Sequence, residues 1–318
     1  MSVDAKQSKV VVTGAGGRTG SLVFKKVLAH PQYEPVGVVR SESSKNALVK
    51  STGATDEQIV VGDILGSDGA AVLDKAMAGA DSLVIATSAV PKIKPLSLIP
   101  VILAKITGKE GVRPKFTFKE DQIPEQVDWI GQKMQIDSAK KNGVKKVVLV
   151  GSMGGTQKDN FLNTIGDGNI LVWKRRAEKY LIDSGLDYTI IHPGGLKDDE
   201  GGLREIVLNV DDIFLDDKSG PRSTCSPLIL LDLLTRTTHL ILSFSIYIIG
   251  IPRADVAELC VQSLGLASRR AFDCVARNVG EGTPTVDFAA LFAGMTKNCD
   301  YSDMKDDEIL GGTFASKS

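Results

Sequence analysis

Short runs of β-branched and aliphatic residues alternate with amphipathic stretches from the start of the chain. "KVVVTG", "YEPVGVVR", "EQIVVGD", "DSLVIAT", "VKKVVLVGS" and "LDYTIIHPGG" predict six strands. Residues 19–30, 68–78 and 125–142 between them place apolar side chains at helical spacing. Several of the strand runs are apolar throughout, as strands covered on both faces must be. Strands alternating with helices predict an α/β fold with a doubly wound, mainly parallel sheet. In such sheets a ligand lies beyond the carboxyl ends of the strands, so the residues just after each strand are the ones to read for chemistry.

Two regions fit the alternation poorly. Residues 87–124 contain Pro91, Pro95, Pro100 and Pro114 and are too long for a turn, which predicts a lid across the mouth of the sheet or an irregular lobe. Residues 221–250 are far more apolar than their surroundings. Asp232 and Arg236 interrupt them, leaving about a dozen near-continuous apolar residues, short of the ~20 that span a bilayer. A buried or peripheral insertion, or a translated non-coding segment, is the expectation over a spanning helix. The domain reading is one unit over residues 9–292 that includes this insertion, followed by a polar tail, 293–318.

The chain of 318 residues carries 38 Lys and Arg against 39 Asp and Glu, a net charge of −1. That balance provides no global field for nucleic acid or an anionic membrane, and neither is expected as a partner. No basic, apolar and small-residue signal opens the sequence, so a cytoplasmic location is the expectation. The four cysteines lack CxxC or metal-ligand spacing and are read as reduced thiols, with no metal and no disulfide.

"VVVTGAGGRTGSLVFKKVL" carries the most chemistry. Gly14 permits a tight turn, Gly17 lets backbone approach a pyrophosphate, and Gly20 lets the helix pack on the strand. The helix N-terminus then faces phosphates. The second strand ends in Arg40 and Ser41 rather than a carboxylate, and Arg18 adds a cation inside the loop. Two guanidiniums suit the 2′-phosphate of NADP (NADPH), where a carboxylate would select NAD. Asp63, after the third strand, is either an adenine contact or a turn residue.

These segments, with "VVRS", "GDI", "TSAVPK", "PEQVDWIGQ", "VVLVGSMGGT", "DGNILVWKRRAEKYL", "YTIIHPGGL" and "IPRADVAE", resemble the atypical short-chain dehydrogenase/reductase family, especially its NmrA-like plant and algal NAD(P)-binding proteins. The resemblance implies a Rossmann-type fold, a doubly wound parallel sheet with a small C-terminal substrate lobe, that binds NADP in the strand-end crevice. It places Gly14, Gly17, Arg18, Thr19, Gly20 and Arg40 on the diphosphate and 2′-phosphate, and Asp63 and Ile64 on the adenine. Ala86, Thr87 and Ser88 would run beside the ribose and nicotinamide, Ser152 and Lys174 would meet the nicotinamide ribose, and Pro193, Gly194, Gly195 and Leu196 would close over the carboxamide. At His192 the resemblance leads one to expect an Arg, and residues 221–250 stand where relatives keep a short link.

In short-chain dehydrogenases a Tyr four residues before the Lys protonates the substrate oxygen, the Lys lowers its pKa and holds the ribose, and a Ser polarises the carbonyl. Ser152 and Lys174 fit the last two roles, but the Tyr position is Ile170. Tyr180 lies about 240° round the helix from Lys174 and reads as packing. His192 is either a proton donor or a hydrogen-bonded structural residue, and Asp128 and Gln132 share a helix face that could reach the crevice. The expected function is an NADP-dependent oxidoreductase that reduces a small quinone-like or conjugated carbonyl acceptor without the Tyr. The alternative is a non-catalytic NADP(H)-sensing protein. A small-molecule substrate is the expected partner, with a homodimer as the assembly left open.

Overall fold

The computed structural model describes residues 6–108, 112–216, 224–225, 246–247 and 250–304. Most of the apolar stretch 221–250 and the end of the chain, 305–318, lie outside the described residues.

All six sequence-read strands are present: β1 (Ser8–Thr13), β2 (Tyr33–Val39), β3 (Ile59–Val61), β4 (Ser82–Ile85), β5 (Lys146–Val150) and β6 (Asp187–Pro193). Two more, β7 (Ile206–Asn209) and β8 (Arg270–Ala276), complete a sheet ordered β7-β8-β6-β5-β4-β1-β2-β3. Every neighbouring pair is parallel except β7 with β8. Within it runs the order 3-2-1-4-5-6 of a dinucleotide-binding sheet, with the direction of winding reversed between β1 and β4. Thr13 aligns with Val38 on one side and Ile85 on the other, so the loops after β1, β2 and β4 open onto one crevice.

Helices cover both faces because the central strands are apolar on both. On one face α1 (Arg18–Ala29) packs Val23, Phe24 and Val27 into a core shared with Val256, Leu259 and Cys260 of the helix Arg253–Leu266. On the other face lie α3 (Gly69–Met77), α5 (Gly131–Lys141) and α6 (Ile170–Asp183); α2 (Glu42–Thr52) precedes α3 in the chain, and α4 (Leu98–Ile106) lies between α3 and α5. The three helices expected over 19–30, 68–78 and 125–142 match α1, α3 and α5 with its preceding π-helical turn, Glu125–Ile130.

The connection 87–124 has local structure of its own. Lys92–Ile93 pairs antiparallel with Phe116–Thr117, pinning a loop that carries α4. The reading of 293–318 as a polar tail is corrected at its start: Cys299 and Tyr301 are buried, and the Cys299 backbone N–H bonds to Ala271 of β8. Apolar and hydrogen-bonding side chains at these two positions outweigh the polar residues around them.

Candidate active site

The crevice at the winding reversal is a cleft of about 900 Å3, counting the part open to solvent. Gly14 and Gly17 form its phosphate end, Arg40 and Ser44 its outer end, Asp63 and Ile64 one wall, and Ala86, Thr87 and Ser88 the opposite wall. Gly14 holds φ +69°, and a Cβ there would lie 2.7 Å from the Ala86 carbonyl oxygen. A Cβ on Gly20 would run into the Gly14 carbonyl, so this glycine brings α1 against the strand end. No side chain caps α1, and its first turn contains no carboxylate. Its free N–H groups therefore point their positive potential at the cleft, which fits a dinucleotide's diphosphate.

The two cations read as phosphate ligands separate. Arg40 lines the cleft and is exposed. Arg18 does not line it: its guanidinium is paired with Asp198, which also accepts from Arg253 at 2.5 Å. Thr19 lies in the first turn of α1 without reaching the cleft wall. Asp63 lines the cleft, and its Oδ1 accepts from the Leu65 N–H at 3.0 Å as a turn residue does.

Lys174 and Ser152 lie together, but not on that wall. They line a small neighbouring pocket with Arg175, Glu178, His192 and Asp273. Lys174 is buried, and its Nζ donates to Asp128 Oδ1 at 2.8 Å. The other oxygen of Asp128 accepts from the Ala89 N–H at 3.1 Å. Asp128 sits in the π-helical turn, and π turns recur at functional sites because the extra residue re-aims a side chain. One helical turn on, Gln132 Nε2 donates to the Thr87 carbonyl at 3.1 Å and Gln135 Nε2 to Thr87 Oγ1 at 3.2 Å. Thr13 Oγ1 donates back to Gln135 Oε1 at 2.5 Å. Thus the face on which Asp128 and Gln132 were expected supports the cleft from behind, leaving Gln132 Oε1 buried without a partner.

Pro193, Gly194, Gly195 and Leu196 do not form the wall of this cleft. Gly194 N–H bonds to the Cys274 carbonyl, and Gly195–Lys197 pairs in parallel with Gly250–Pro252. Tyr180 packs edge-on against Trp129 and donates to Asp137 at 2.5 Å, a packing role as expected.

Below Lys174 the structure holds a polar cluster largely missed in the sequence. Ile170, Lys174 and Glu178 recur every fourth residue along α6 and so share one face. His192 at the end of β6 places Nε2 3.1 Å from Glu178 Oε2 and Nδ1 3.1 Å from Asp273 Oδ1. Tyr301 Oη donates to Glu178 Oε2 at 3.0 Å, beneath the Arg175 guanidinium 4.0 Å from its ring centre. Burial alone would lower the His192 pKa. The Glu178 carboxylate and the Asp273 bond outweigh it and raise the pKa well above 6.5. Burial likewise opposes ionisation of Glu178, yet the adjacent imidazolium holds it below 4.5. His192 is thus a hydrogen-bonded structural residue whose partners favour its cationic form, where the resemblance leads one to expect Arg. Cys299 Sγ, His192 and Asp273 lie within 4.8 Å of one another. Two clues were legible: Glu178 four residues after Lys174, and Asp273 interrupting the apolar run "RAFDCVA".

A doubly wound sheet with a glycine turn at its reversal and an uncapped helix facing it defines a protein that binds a nicotinamide dinucleotide. The chain belongs to the NAD(P)H-binding family, whose profile matches residues 14–226. It is 44% identical over 307 residues to sanguinarine reductase of Eschscholzia californica, covering 93% of this chain and 99% of that one. It is also 46% identical over 290 residues to an uncharacterised chloroplastic protein of Arabidopsis thaliana, covering 90% of this chain and 75% of the other. Among solved structures, a putative NAD-dependent epimerase/dehydratase from Bacillus halodurans shares the fold with a TM-score of 0.58 at 23% identity, covering 91% of this chain and 100% of that one. No helix among the described residues is long and apolar enough to cross a membrane.

Proposed function

We propose that the chain is an NADPH-dependent reductase of a small quinone-like or conjugated carbonyl acceptor, working without a tyrosine acid. The observation that carries this reading is Ile170, buried on the same face of α6 as Lys174, one turn before it. An aliphatic side chain at that place removes the proton donor that ordinary ketone reduction requires. Bound in the cleft, the nicotinamide supplies a hydride, which an activated alkene or quinone accepts while its proton comes from water.

Arg40 supports NADP over NAD, because the residue ending β2 is a cation and no carboxylate there repels a 2′-phosphate. Asp128 fixes the Lys174 ammonium beside the cleft, and Gln132 and Gln135 hold Thr87 on the cleft wall. A relative whose name denotes reduction of sanguinarine supports a reductase over a non-catalytic sensor. The cytoplasm is the proposed location, with the plastid as the competing one given the chloroplastic Arabidopsis relative.

The test is acceptor-dependent oxidation of NADPH by the cofactor-saturated protein. Turnover with quinones or enones and none with simple ketones supports the proposal. Equal turnover of simple ketones, or none with any acceptor, contradicts it.

A further inference from the structure

The connection between β4 and the π-helical turn combines two properties. It is apolar where it faces water. On α4, Ile99, Ile102, Leu103 and Ile106 follow one another at i, i+3, i+4 and i+7, all more than half exposed, and Leu96 just before them is 81% exposed. Among the residues of this helix whose burial is described, only Ala104 is buried. The segment is also basic: residues 87–124 contain seven Lys and Arg and three Asp and Glu, within a chain of net charge −1. Lys92, Lys94, Lys115 and Lys119 are exposed and form no ion pair with a described carboxylate.

We infer that α4 and its basic flanks are a docking surface for an anionic lipid bilayer, into whose interface the Ile99–Ile106 stripe inserts while the lysines meet the headgroups. An exposed apolar stripe bordered by lysines is what lies stably in that interface, with the long side chains reaching the phosphates. At nine residues, α4 is too short to span. The charge decides between occupants. Two copies meeting through this face would bring like charges together, whereas anionic headgroups pair with them. The global charge balance, which argues against a membrane partner, conceals this local excess. Val90, at the root of the same connection, lines the cofactor cleft and is itself exposed, so docking would present the cleft mouth toward the lipid. The proposal does not depend on the reductase reading.

The experiment is flotation of the full chain with vesicles of phosphatidylcholine, with and without phosphatidylglycerol, at low and high salt. The wild type should float with the anionic vesicles, less so at high salt. Ile102→Asp with Leu103→Asp, and separately Lys92→Glu with Lys94→Glu, should each weaken partitioning by at least about tenfold. All these side chains are exposed, so cofactor binding, read by NADPH fluorescence, should stay unchanged and report an intact fold. Failure of the wild type to float, or flotation indifferent to phosphatidylglycerol and to both variants, would overturn the inference. A dimer abolished by Ile102→Asp, with no vesicle binding, would overturn it in favour of a second copy.

Discussion

His192 and Glu178 form a buried ion pair, Nε2 to Oε2 at 3.1 Å, that ties the end of β6 to the helix carrying Lys174. Removing one partner from such a pair leaves the other charge buried, at a typical cost of about 3–5 kcal/mol. Glu178→Gln and His192→Leu are therefore expected to lower unfolding stability by about that amount, while His192→Arg, which keeps the cation, is expected to lose less. Denaturant titrations of the three variants check this.

The same pair sets a pH window. The His192 pKa is raised well above 6.5, so its contribution is fully present below about pH 6.5 and fades as pH rises through the folded-state value. Glu178 is held below 4.5, so its contribution is present above about pH 4.5 and fades as pH falls through its folded-state value. Thermal stability should form a plateau across mildly acidic and neutral pH. Its alkaline fall should be displaced upward in His192→Arg, and an unchanged fall in that variant would assign it to other groups.

Asp128 and Lys174 offer a second coupling. Lys174→Ala strands a carboxylate with no exposed side-chain surface and should destabilise by about 3–5 kcal/mol. Asp128→Asn combined with Lys174→Met should recover much of that. If Lys174 acts on the cofactor, the double variant still binds NADPH more weakly than the wild type despite its restored stability. A thermodynamic cycle on stability, run beside cofactor titration, separates the two roles.

Much of the frame was legible because β1 to β6 are nearly pure apolar runs, and the sheet order follows from the alternation of strands with helices. β8 was not, because Asp273 breaks "RAFDCVA", and β7 is short and only partly buried. The phosphate end of the site was legible because glycine has few uses at such spacing. Arg18 was read as a ligand because proximity in sequence does not disclose Asp198, 180 residues away. The His192 cluster draws on α6, β6, β8 and a segment read as tail, so no local pattern contains it. Its members had to be folded together before their charges could be matched.

Gly14 should not tolerate a side chain. Alanine there combines φ +69° with a Cβ 2.7 Å from the Ala86 carbonyl, and the backbone shift this forces should abolish measurable NADPH binding. At Gly53, with φ +75° and nothing within 4 Å, alanine should cost only about 1 kcal/mol and leave binding intact. Fluorescence titration of the two variants draws the contrast.

Calorimetric titration of NADPH and NADH into the wild type and Arg40→Ala tests the central claim most directly. A charge-assisted bond to the 2′-phosphate is worth about 1.5–3 kcal/mol. The wild type should therefore prefer NADPH by at least about tenfold, and Arg40→Ala should lose that preference with NADH affinity unchanged. Equal affinity of the wild type for both cofactors would contradict the account.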